Sequence, residues 1–321
     1  MSCPIVFVVV PCFNEEKCID ETSKRLIEKL SNLISKKKIK KESRVVFVDD
    51  GSKDKTWEKI TSKKSKHIIG LKLAHNRGHQ NALLAGLMYA KEYADAVISL
   101  DADLQDDINA IDKMIEKFDD GFEIVYGVRK DRKKDTFFKR FTAQSFYKIM
   151  KMMGAEVVYN SADYRLMSKR ALDQLSEYKE VNLFLRGIVP LIGLKWTTVE
   201  YSRKERFAGE SKYPLKKMLS FAWDGITSFS IKPLRMILGL GMIVFIISII
   251  VLLYSVIQYF LGNTVEGWTF IVCSVWIVGG LEMISVGLIG EYIGKIYAET
   301  KGRPRFFIES VYNNEGKNEK N

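Results

Sequence analysis

The chain has 321 residues and a formal net charge of +11 at pH 7. This length is sufficient for one α/β domain and a smaller module, and a surplus of positive charge is typical of proteins that meet nucleic acid, anionic lipid or phosphorylated substrates. The four cysteines form no C-x-x-C pair, so neither a zinc site nor a disulfide framework is indicated.

The N-terminal part of the chain alternates between predicted strands and helices. Strands are predicted over 5–10, 44–48, 68–73, 96–100 and 123–126, and helices over 15–34, from about 54, and over 78–93. Repeated β-α alternation predicts a mostly parallel, doubly wound sheet. Ligands of such sheets bind beyond the carboxyl ends of the strands, so polar residues that follow different strands are expected to share one crevice.

Two aspartates, Asp101 and Asp103, follow the fourth predicted strand. Their carboxylate oxygens would lie where the sheet opens to solvent, and such ligands suit Mg²⁺ or Mn²⁺ shared with a diphosphate. Taken alone, the Asp-x-Asp pattern is also compatible with two solvated aspartates at the start of a loop. The sequence has no Walker A motif, and no G-x-G-x-x-G follows the first strand, which disfavours a P-loop enzyme and a dinucleotide-dependent dehydrogenase.

Two long apolar segments, at about 236–260 and 268–290, follow the α/β part. Because about 20 apolar residues cross the core of a bilayer, both segments are predicted to span a membrane. Lysines and arginines flank the pair but are absent from the connector 261–267, which places the large N-terminal part and both ends in the cytoplasm by the positive-inside rule. Since the positive charge collects near the membrane, nucleic acid is not expected as a partner.

The segments on either side of the two spans are also assigned from their patterns. Residues 211–232 have apolar side chains at helical spacing, with lysines off the apolar stripe. Such an amphipathic helix is expected to lie in the membrane interface, and a core-facing helix is the alternative. Residues 296–321 are predicted to form a cytoplasmic tail.

Short motifs occur in a fixed order along most of the chain. They are VVVPCFNEE (8–16), VDDGS (48–52), NRGHQ (76–80), DADLQ (101–105), YGVR (126–129), SADYR (161–165), RFAGESKY (206–213) and GEYIGK (290–295). Together they resemble glycosyltransferase family 2, and more narrowly the polyprenyl-phosphate glycosyltransferases, which include dolichyl-phosphate mannose synthase and bactoprenol glucosyltransferases. The resemblance implies a GT-A-type catalytic domain over 1–210, followed by the interfacial helix and two membrane helices within 233–295.

The resemblance implies a nucleotide-sugar donor, usually linked to UDP, at the ends of the first two strands. Pro11, Phe13 and Glu15 would line the base pocket, with Phe13 against the uracil. Asp50 would accept a hydrogen bond from the uracil N3–H, since a carboxylate is a suitable acceptor. The alternative for Asp50 is a plain tight turn that leads into a helix, and Asp49 would only shape that turn.

A divalent cation, Mg²⁺ or Mn²⁺, on the donor diphosphate is also implied by the resemblance. Asp103 would ligate it directly, Asp101 would contact the ribose or the metal, and Gln105 would add a carbonyl oxygen. His79 and Gln80 are expected at a helix start, where backbone amides favour anions. They would reach the diphosphate or the sugar, or would have only a packing role.

The implied acceptor is a membrane-embedded polyprenyl phosphate, undecaprenyl phosphate in a bacterium. Asp163 stands at the position of the family's base, where it would orient the acceptor or stabilise positive charge at the anomeric carbon. Since the acceptor phosphate is already ionised near neutral pH, positioning and charge neutralisation should dominate. The candidates to hold that phosphate are Arg129, Arg132, Arg206, Ser211 and Lys212.

The predicted activity is the inverting transfer of one hexose, glucose or N-acetylglucosamine, from a UDP-sugar to polyprenyl phosphate at the cytoplasmic face of a bacterial plasma membrane. The product would supply a lipid-linked sugar for cell-envelope glycosylation, and similar enzymes suggest a homo-oligomer. A processive polysaccharide synthase of the same superfamily is one alternative, although the chain has no Q-x-x-R-W motif and two spans make a poor polymer channel. A non-catalytic membrane scaffold is the other alternative, and the intact acidic residues argue against it.

Overall fold

The computed structural model describes residues 3–130, 158, 160–181, 184–202, 227, 232–261 and 267–314. Strands and helices alternate through the N-terminal part, as the sequence predicts. In chain order the elements are β1 (Val6–Cys12), α1 (Ile19–Ser35), β2 (Arg44–Asp49), α2 (Thr56–Thr61), β3 (Ile68–Leu73), α3 (His79–Ala90), β4 (Ala96–Ser99), α4 (Ala110–Asp119), β5 (Ile124–Arg129), β6 (Ser161–Ser168), α5 (Lys169–Ser176), α6 (Leu185–Leu191), β7 (Trp196–Tyr201), α7 (Lys232–Phe260), α8 (Trp268–Thr300) and β8 (Ile308–Asn313).

In the described residues the strands form one eight-stranded sheet, in the order β7-β5-β6-β4-β1-β2-β3-β8. The central strands β4, β1, β2 and β3 are parallel to one another. Strand β6 is antiparallel to both β4 and β5, β8 is antiparallel to β3, and β7 is parallel to β5. The sheet is therefore mixed, and the predicted α/β class with a parallel centre is confirmed.

Strand β1 is buried along its whole length because helices cover both faces of the sheet. Val8 and Val10 belong to the part of the core that α1 covers, whereas Val9 belongs to the part that α3 covers. A strand buried on both faces has a continuous apolar run rather than an alternating pattern. Helix α3 lies so close to the sheet that a Cβ on Gly86 would come within 2.3 Å of Val9 Cγ1, so the absence of a side chain there sets the helix-to-sheet distance.

The structure differs from the cytoplasmic tail predicted over 296–321. The first of these residues continue α8, and β8 pairs with β3 at the edge of the sheet. Lys72 and Glu309 add an ion pair across these two strands, with 3.1 Å between Nζ and Oε2. Because this pairing joins segments that are far apart in the chain, no local pattern indicates it. The sheet domain is thus built from both ends of the chain and does not end at residue 210.

Helices α7 and α8 are each long and apolar enough to cross a membrane. Many of their large apolar side chains, such as Leu238, are exposed on this chain. A large, continuous apolar surface of this kind marks a contact with a membrane or with another protein. Helix α8 continues to Thr300, beyond the predicted end of the span at 290. The predicted interfacial helix over 211–232 lies almost wholly outside the described residues.

Candidate active site

The carboxyl ends of the parallel strands bring the predicted donor residues to one edge of the sheet. Phe13 follows β1, Asp50 follows β2, and Asp101 lies just beyond β4. The N–H of Asp50 donates to the carbonyl of Cys12 at 2.9 Å, and β4 pairs directly with β1. The three chain segments are therefore neighbours, in the crevice expected for a doubly wound sheet.

The loop after β1 carries the residues predicted to bind the base. Pro11 is buried within β1, whereas the Phe13 residue is 39% exposed. The loop is held on the segment after β2, since the N–H of Glu15 donates to Thr56 Oγ1 at 2.9 Å. A partly exposed aromatic ring on a fixed loop is suited to stacking on a nucleotide base.

Asp50 is almost fully buried, and its carboxylate holds the loop that leads into α3. Oδ1 accepts from the N–H of Arg77 at 2.7 Å, and Oδ2 accepts from the N–H of Gly78 at 2.8 Å. Burial raises the pKa of Asp50, although these two donors act in the opposite direction. Beside it, Gly51 has φ 67° and a Cβ there would meet Asn76 N at 2.7 Å, so the turn requires glycine. Each Asp50 oxygen keeps a second lone pair that can accept another hydrogen bond. A hydrogen bond from the uracil N3–H to Asp50 stays a prediction.

Asp101 and Asp103 lie on one loop and fit a divalent cation. Asp103 is 7% exposed, and its Oδ1 accepts from the N–H of Gln105 at 3.1 Å. Although the Asp101 side chain is 40% exposed, desolvation in the crevice raises its pKa, and the carboxylates of Asp163 and Asp103 raise it further. No group of three or more His, Cys, Asp or Glu side chains among the described residues is arranged to hold a metal ion. Mg²⁺ commonly binds through one or two carboxylates plus substrate phosphates and water, so this pair suits a cation that arrives with the diphosphate.

Asp163, on β6, is held by two arginines. Its Oδ1 lies 2.8 Å from Arg165 Nη2, and Arg186 donates from Nε to Oδ1 at 3.1 Å and from Nη2 to Oδ2 at 3.0 Å. Burial alone would raise the pKa of Asp163, but Arg186, His79 and Arg165 outweigh it and hold the pKa well below the usual range. A carboxylate in this state is a weak proton acceptor, so the geometry favours positioning and charge stabilisation over the role of a base.

His79 and Gln80 lie at the start of α3, as predicted, and both face Asp163. His79 Nε2 is 3.6 Å from Asp163 Oδ2 and 3.7 Å from Asp101 Oδ1. Burial lowers the pKa of His79, but the two carboxylates more than offset this and the pKa is raised. The Gln80 amide spans two elements, because Nε2 donates to Asp163 at 3.5 Å and Oε1 accepts from the N–H of Leu185 at 3.1 Å. Both side chains thus belong to the crevice rather than to the packing core.

Sequence reasoning did not single out Arg186, Asp106 or Tyr201. The Tyr201 hydroxyl donates to Asp106 Oδ1 at 2.7 Å and accepts from Arg129 Nε at 3.4 Å. Burial raises the pKa of Asp106 to about 6, and Asp101 adds to the effect. Arg186 and Tyr201 are distant in the chain from their partners and lie in no motif, so only the fold reveals them. Asp106 directly follows the DADLQ motif, and that run of acids is the signal that could have indicated it.

Among the residues predicted to bind the acceptor phosphate, the structure describes Arg129. It lies at the end of β5, partly buried, beside Tyr201. The other candidates lie outside the described residues: Arg132, Arg206, Ser211 and Lys212. The phosphate site therefore stays a prediction.

Comparison with known proteins identifies the family. The model of Glycosyl transferase family 2 matches residues 7–176. The chain is 54% identical over 315 residues to the "Uncharacterized glycosyltransferase YkoT" of Bacillus subtilis (strain 168), covering 97% of this chain and 94% of that protein. It is 38% identical to the "Prophage bactoprenol glucosyl transferase homolog" of Escherichia coli (strain K12) and 39% identical to the "Bactoprenol glucosyl transferase" of Shigella phage SfX, each over 95% of this chain and 99% of the relative. The chain therefore belongs to glycosyltransferase family 2.

Proposed function

We propose that this glycosyltransferase transfers one hexose from a UDP-sugar to a polyprenyl phosphate, with inversion at the anomeric carbon. The observation that carries the proposal is the identity of 38% and 39% with bactoprenol glucosyl transferases over 95% of this chain. A match of this length includes α7 and α8, the apolar helices beside which a lipid acceptor would lie. Glucose is the first sugar to test, and N-acetylglucosamine the second. The proposal includes a cytoplasmic catalytic domain, a homo-oligomer and a lipid-linked product for cell-envelope glycosylation.

The donor side of the crevice would hold the nucleotide and its diphosphate. Phe13 stacks on the base, and the loop held by Asp50 presents His79 to the diphosphate or sugar. Asp101 and Asp103 are the residues that would hold Mg²⁺ or Mn²⁺. When bound, the cation supplies charge neutralisation for the departing UDP.

The acceptor needs orientation more than deprotonation. A phosphate monoester has a second pKa of about 6, so one of its oxygens is ready to attack the anomeric carbon at neutral pH. The new bond to that carbon forms as its bond to the UDP oxygen breaks, and an α-linked donor gives a β-linked product. Asp163, kept ionised by Arg186 and Arg165, is suited to stabilising the positive charge that develops on the sugar. Arg129 is the described candidate to hold the acceptor phosphate.

Incubation of the purified full chain with undecaprenyl phosphate and one nucleotide sugar at a time tests this function. UDP-glucose, UDP-N-acetylglucosamine, UDP-galactose and GDP-mannose are each supplied with Mg²⁺ or Mn²⁺, and the products are weighed by mass spectrometry. We expect one hexose per lipid with a UDP-sugar, and a β configuration by NMR.

The same experiment separates the alternatives. A ladder of product masses would identify a processive polysaccharide synthase, and no transfer from any donor would point to a scaffold. An α-linked product would contradict direct displacement.

A further inference from the structure

The end of the second apolar helix and the residues after it, 299–313, form a segment that we call the C-terminal clamp. Glu299 lies in the last turn of α8, and the N–H of Val181 donates to both of its carboxylate oxygens at 2.8 Å. The guanidinium of Arg305 donates to the carbonyl of Tyr178. The first half of the clamp therefore holds Tyr178 and Val181, which lie between α5 and α6.

The second half of the clamp holds the other side of the crevice. Strand β8 pairs with β3, and just beyond β3 the N–H of Ala74 donates to the carbonyl of Phe307 at 3.0 Å. Ala74 begins the loop that Asp50 holds and that leads to His79 and Gln80. The clamp thus contacts the chain ahead of α6, from which Arg186 binds Asp163. It also contacts the loop ahead of α3, from which His79 faces Asp163.

The segment held by Glu299 leads into α6, which carries Arg186. Leu185 is fixed from two sides, because its N–H donates to Gln80 Oε1 at 3.1 Å and its carbonyl accepts from Arg165 Nη1 at 3.2 Å. Arg186 then binds both oxygens of Asp163. The position of the first turn of α6 therefore decides whether the Arg186 fork meets the Asp163 carboxylate.

The negative charge of Glu299 strengthens its hydrogen bond with the Val181 N–H. A carboxylate that accepts from a backbone N–H makes a charge-assisted hydrogen bond, which is about twice as strong as a neutral one. Burial lowers the pKa of Arg305, and the negative charges of Glu180 and Glu299 act in the opposite direction. Loss of Glu299 would remove the acceptor of the partly buried Val181 N–H and one of the acids beside Arg305.

We propose that Glu299 is a positioning residue for sugar transfer, because it holds Val181, ahead of α6, so that Arg186 meets Asp163. The residue that sets the active-site geometry then lies at the end of an apolar helix, which couples that helix to the crevice. The kinetic test of this inference rests on the proposed function. Hydrogen–deuterium exchange tests the same contact without any need for sugar transfer.

Steady-state transfer by Glu299→Ala, Glu299→Gln and Glu309→Ala tests the role. Losing the charged acceptor should lower kcat for Glu299→Ala roughly tenfold, while the KM for the UDP-sugar stays within about twofold. Glu299→Gln keeps a side-chain oxygen for Val181 and should recover most of the rate. Glu309→Ala is the matched control, since it removes a partly exposed ion pair with Lys72 but leaves the backbone pairing of β8 with β3 in place, and it should retain wild-type kcat.

Hydrogen–deuterium exchange gives the readout that is independent of catalysis. In Glu299→Ala we expect faster exchange at Val181, Leu185 and Arg186, with β1 and β2 unchanged. If the wild type transfers no sugar, the proposed function fails, yet the exchange still decides the role of Glu299. Wild-type exchange at these amides in Glu299→Ala would overturn the proposal. So would faster exchange throughout the sheet with no recovery in Glu299→Gln, because that pattern denotes general loss of stability.

Discussion

Single residues of the crevice act through the charges around them. Asp163 is kept ionised by the forks of Arg186 and Arg165. Asp49 is just as buried, but its Oδ1 accepts from the N–H of Ser52 and its Oδ2 has no hydrogen-bond partner within the described part of the chain. Burial therefore raises the pKa of Asp49, while the same burial fails to raise that of Asp163. The surroundings, not the residue type, decide which carboxylate can serve as a fixed negative charge.

Arg186→Lys tests the fork on Asp163. Lysine keeps the positive charge but cannot donate to two oxygens in one plane, so we expect kcat for sugar transfer to fall roughly tenfold to a hundredfold. Arg170→Lys is the control, because Arg170 is exposed and pairs with the carboxylate of Glu123 at 3.5 Å, away from Asp163. A wild-type kcat in Arg186→Lys would show that charge alone is needed at this position.

Asp103→Asn tests the cation site. Replacing one of the two carboxylates should lower transfer by roughly a hundredfold or more and weaken Mn²⁺ binding as measured by electron paramagnetic resonance. Chelation by EDTA should abolish wild-type transfer, and added Mg²⁺ or Mn²⁺ should restore it. Asp120→Asn, which removes a surface acid paired with Lys117, should behave like the wild type; equal Mn²⁺ affinity in Asp103→Asn would refute the assignment.

Asp49→Asn tests the consequence of a buried acid for stability. The pKa of Asp49 is raised in the folded chain, whereas an unfolded aspartate has a pKa of about 3.9. The folded state therefore keeps its proton longer, and wild-type stability falls as the pH rises from about 4 through the raised pKa. Asparagine can still accept from Ser52, so Asp49→Asn should lose the part of this fall that Asp49 causes, and its Tm should decline less steeply with pH. Parallel curves for the two proteins would contradict the prediction.

The elements fix the crevice by packing closely. Helix α3 starts with His79 and lies directly over β1 and β2, where Gly86 allows a short distance to the sheet. Its N-terminus is set by the loop that Asp50 holds. The position of the crevice residue His79 therefore depends on an apolar contact near the other end of the helix.

Gly86→Ala tests this contact. The added Cβ would lie 2.3 Å from Val9 Cγ1 and 2.8 Å from Val48 Cγ2, and such overpacking costs about 1–3 kcal/mol, more than the helix propensity of up to about 1 kcal/mol that alanine gains. We expect a lower Tm. Val9→Ala removes the closest atom, so the double variant should be less destabilised than the sum of the two single variants. Strict additivity would mean that the helix simply moves away.

In the whole molecule, the two apolar helices lie, in chain order, between two parts of the sheet domain: β7 precedes them and β8 follows them. The chain leaves before α7 and comes back after α8 to add β8 beside β3. A strand cannot join the sheet from the opposite side of a bilayer. If α7 and α8 span a membrane, the sheet domain and the C-terminal clamp must therefore lie on the same side.

Protease protection in membrane vesicles tests this arrangement and its predicted orientation. With an epitope added at each end, we expect both epitopes to be cleaved in inverted vesicles and both to be protected in right-side-out vesicles, since positive charge flanks the helix pair. Cleavage of both epitopes only in right-side-out vesicles would reverse the orientation. Opposite behaviour of the two epitopes would contradict the pairing of β8 with β3 across this membrane.

Much of the fold and part of the crevice could be predicted from the residues alone. The strand Ile68–Leu73 has the predicted bounds, and Asp50, His79 and Asp101 lie at strand or helix ends as expected. These features depend on apolar periodicity and on motifs within a few residues of each other. The two arginines that surround Asp163 are the part of its surroundings that its motif does not indicate.

Local patterns thus predict the first five strands, the helices α1 to α3, the two apolar segments and the family motifs, because the interactions behind them are between near neighbours in the chain. Three contacts are decided by the folded structure alone: the ion pair of Arg186 with Asp163, the hydrogen bond from Tyr201 to Asp106, and the hydrogen bond from the Val181 N–H to Glu299. These contacts join residues from separate parts of the chain, which only the tertiary structure brings together. For the same reason β8 is a strand because the edge of β3, far from it in the chain, offers it unpaired backbone groups.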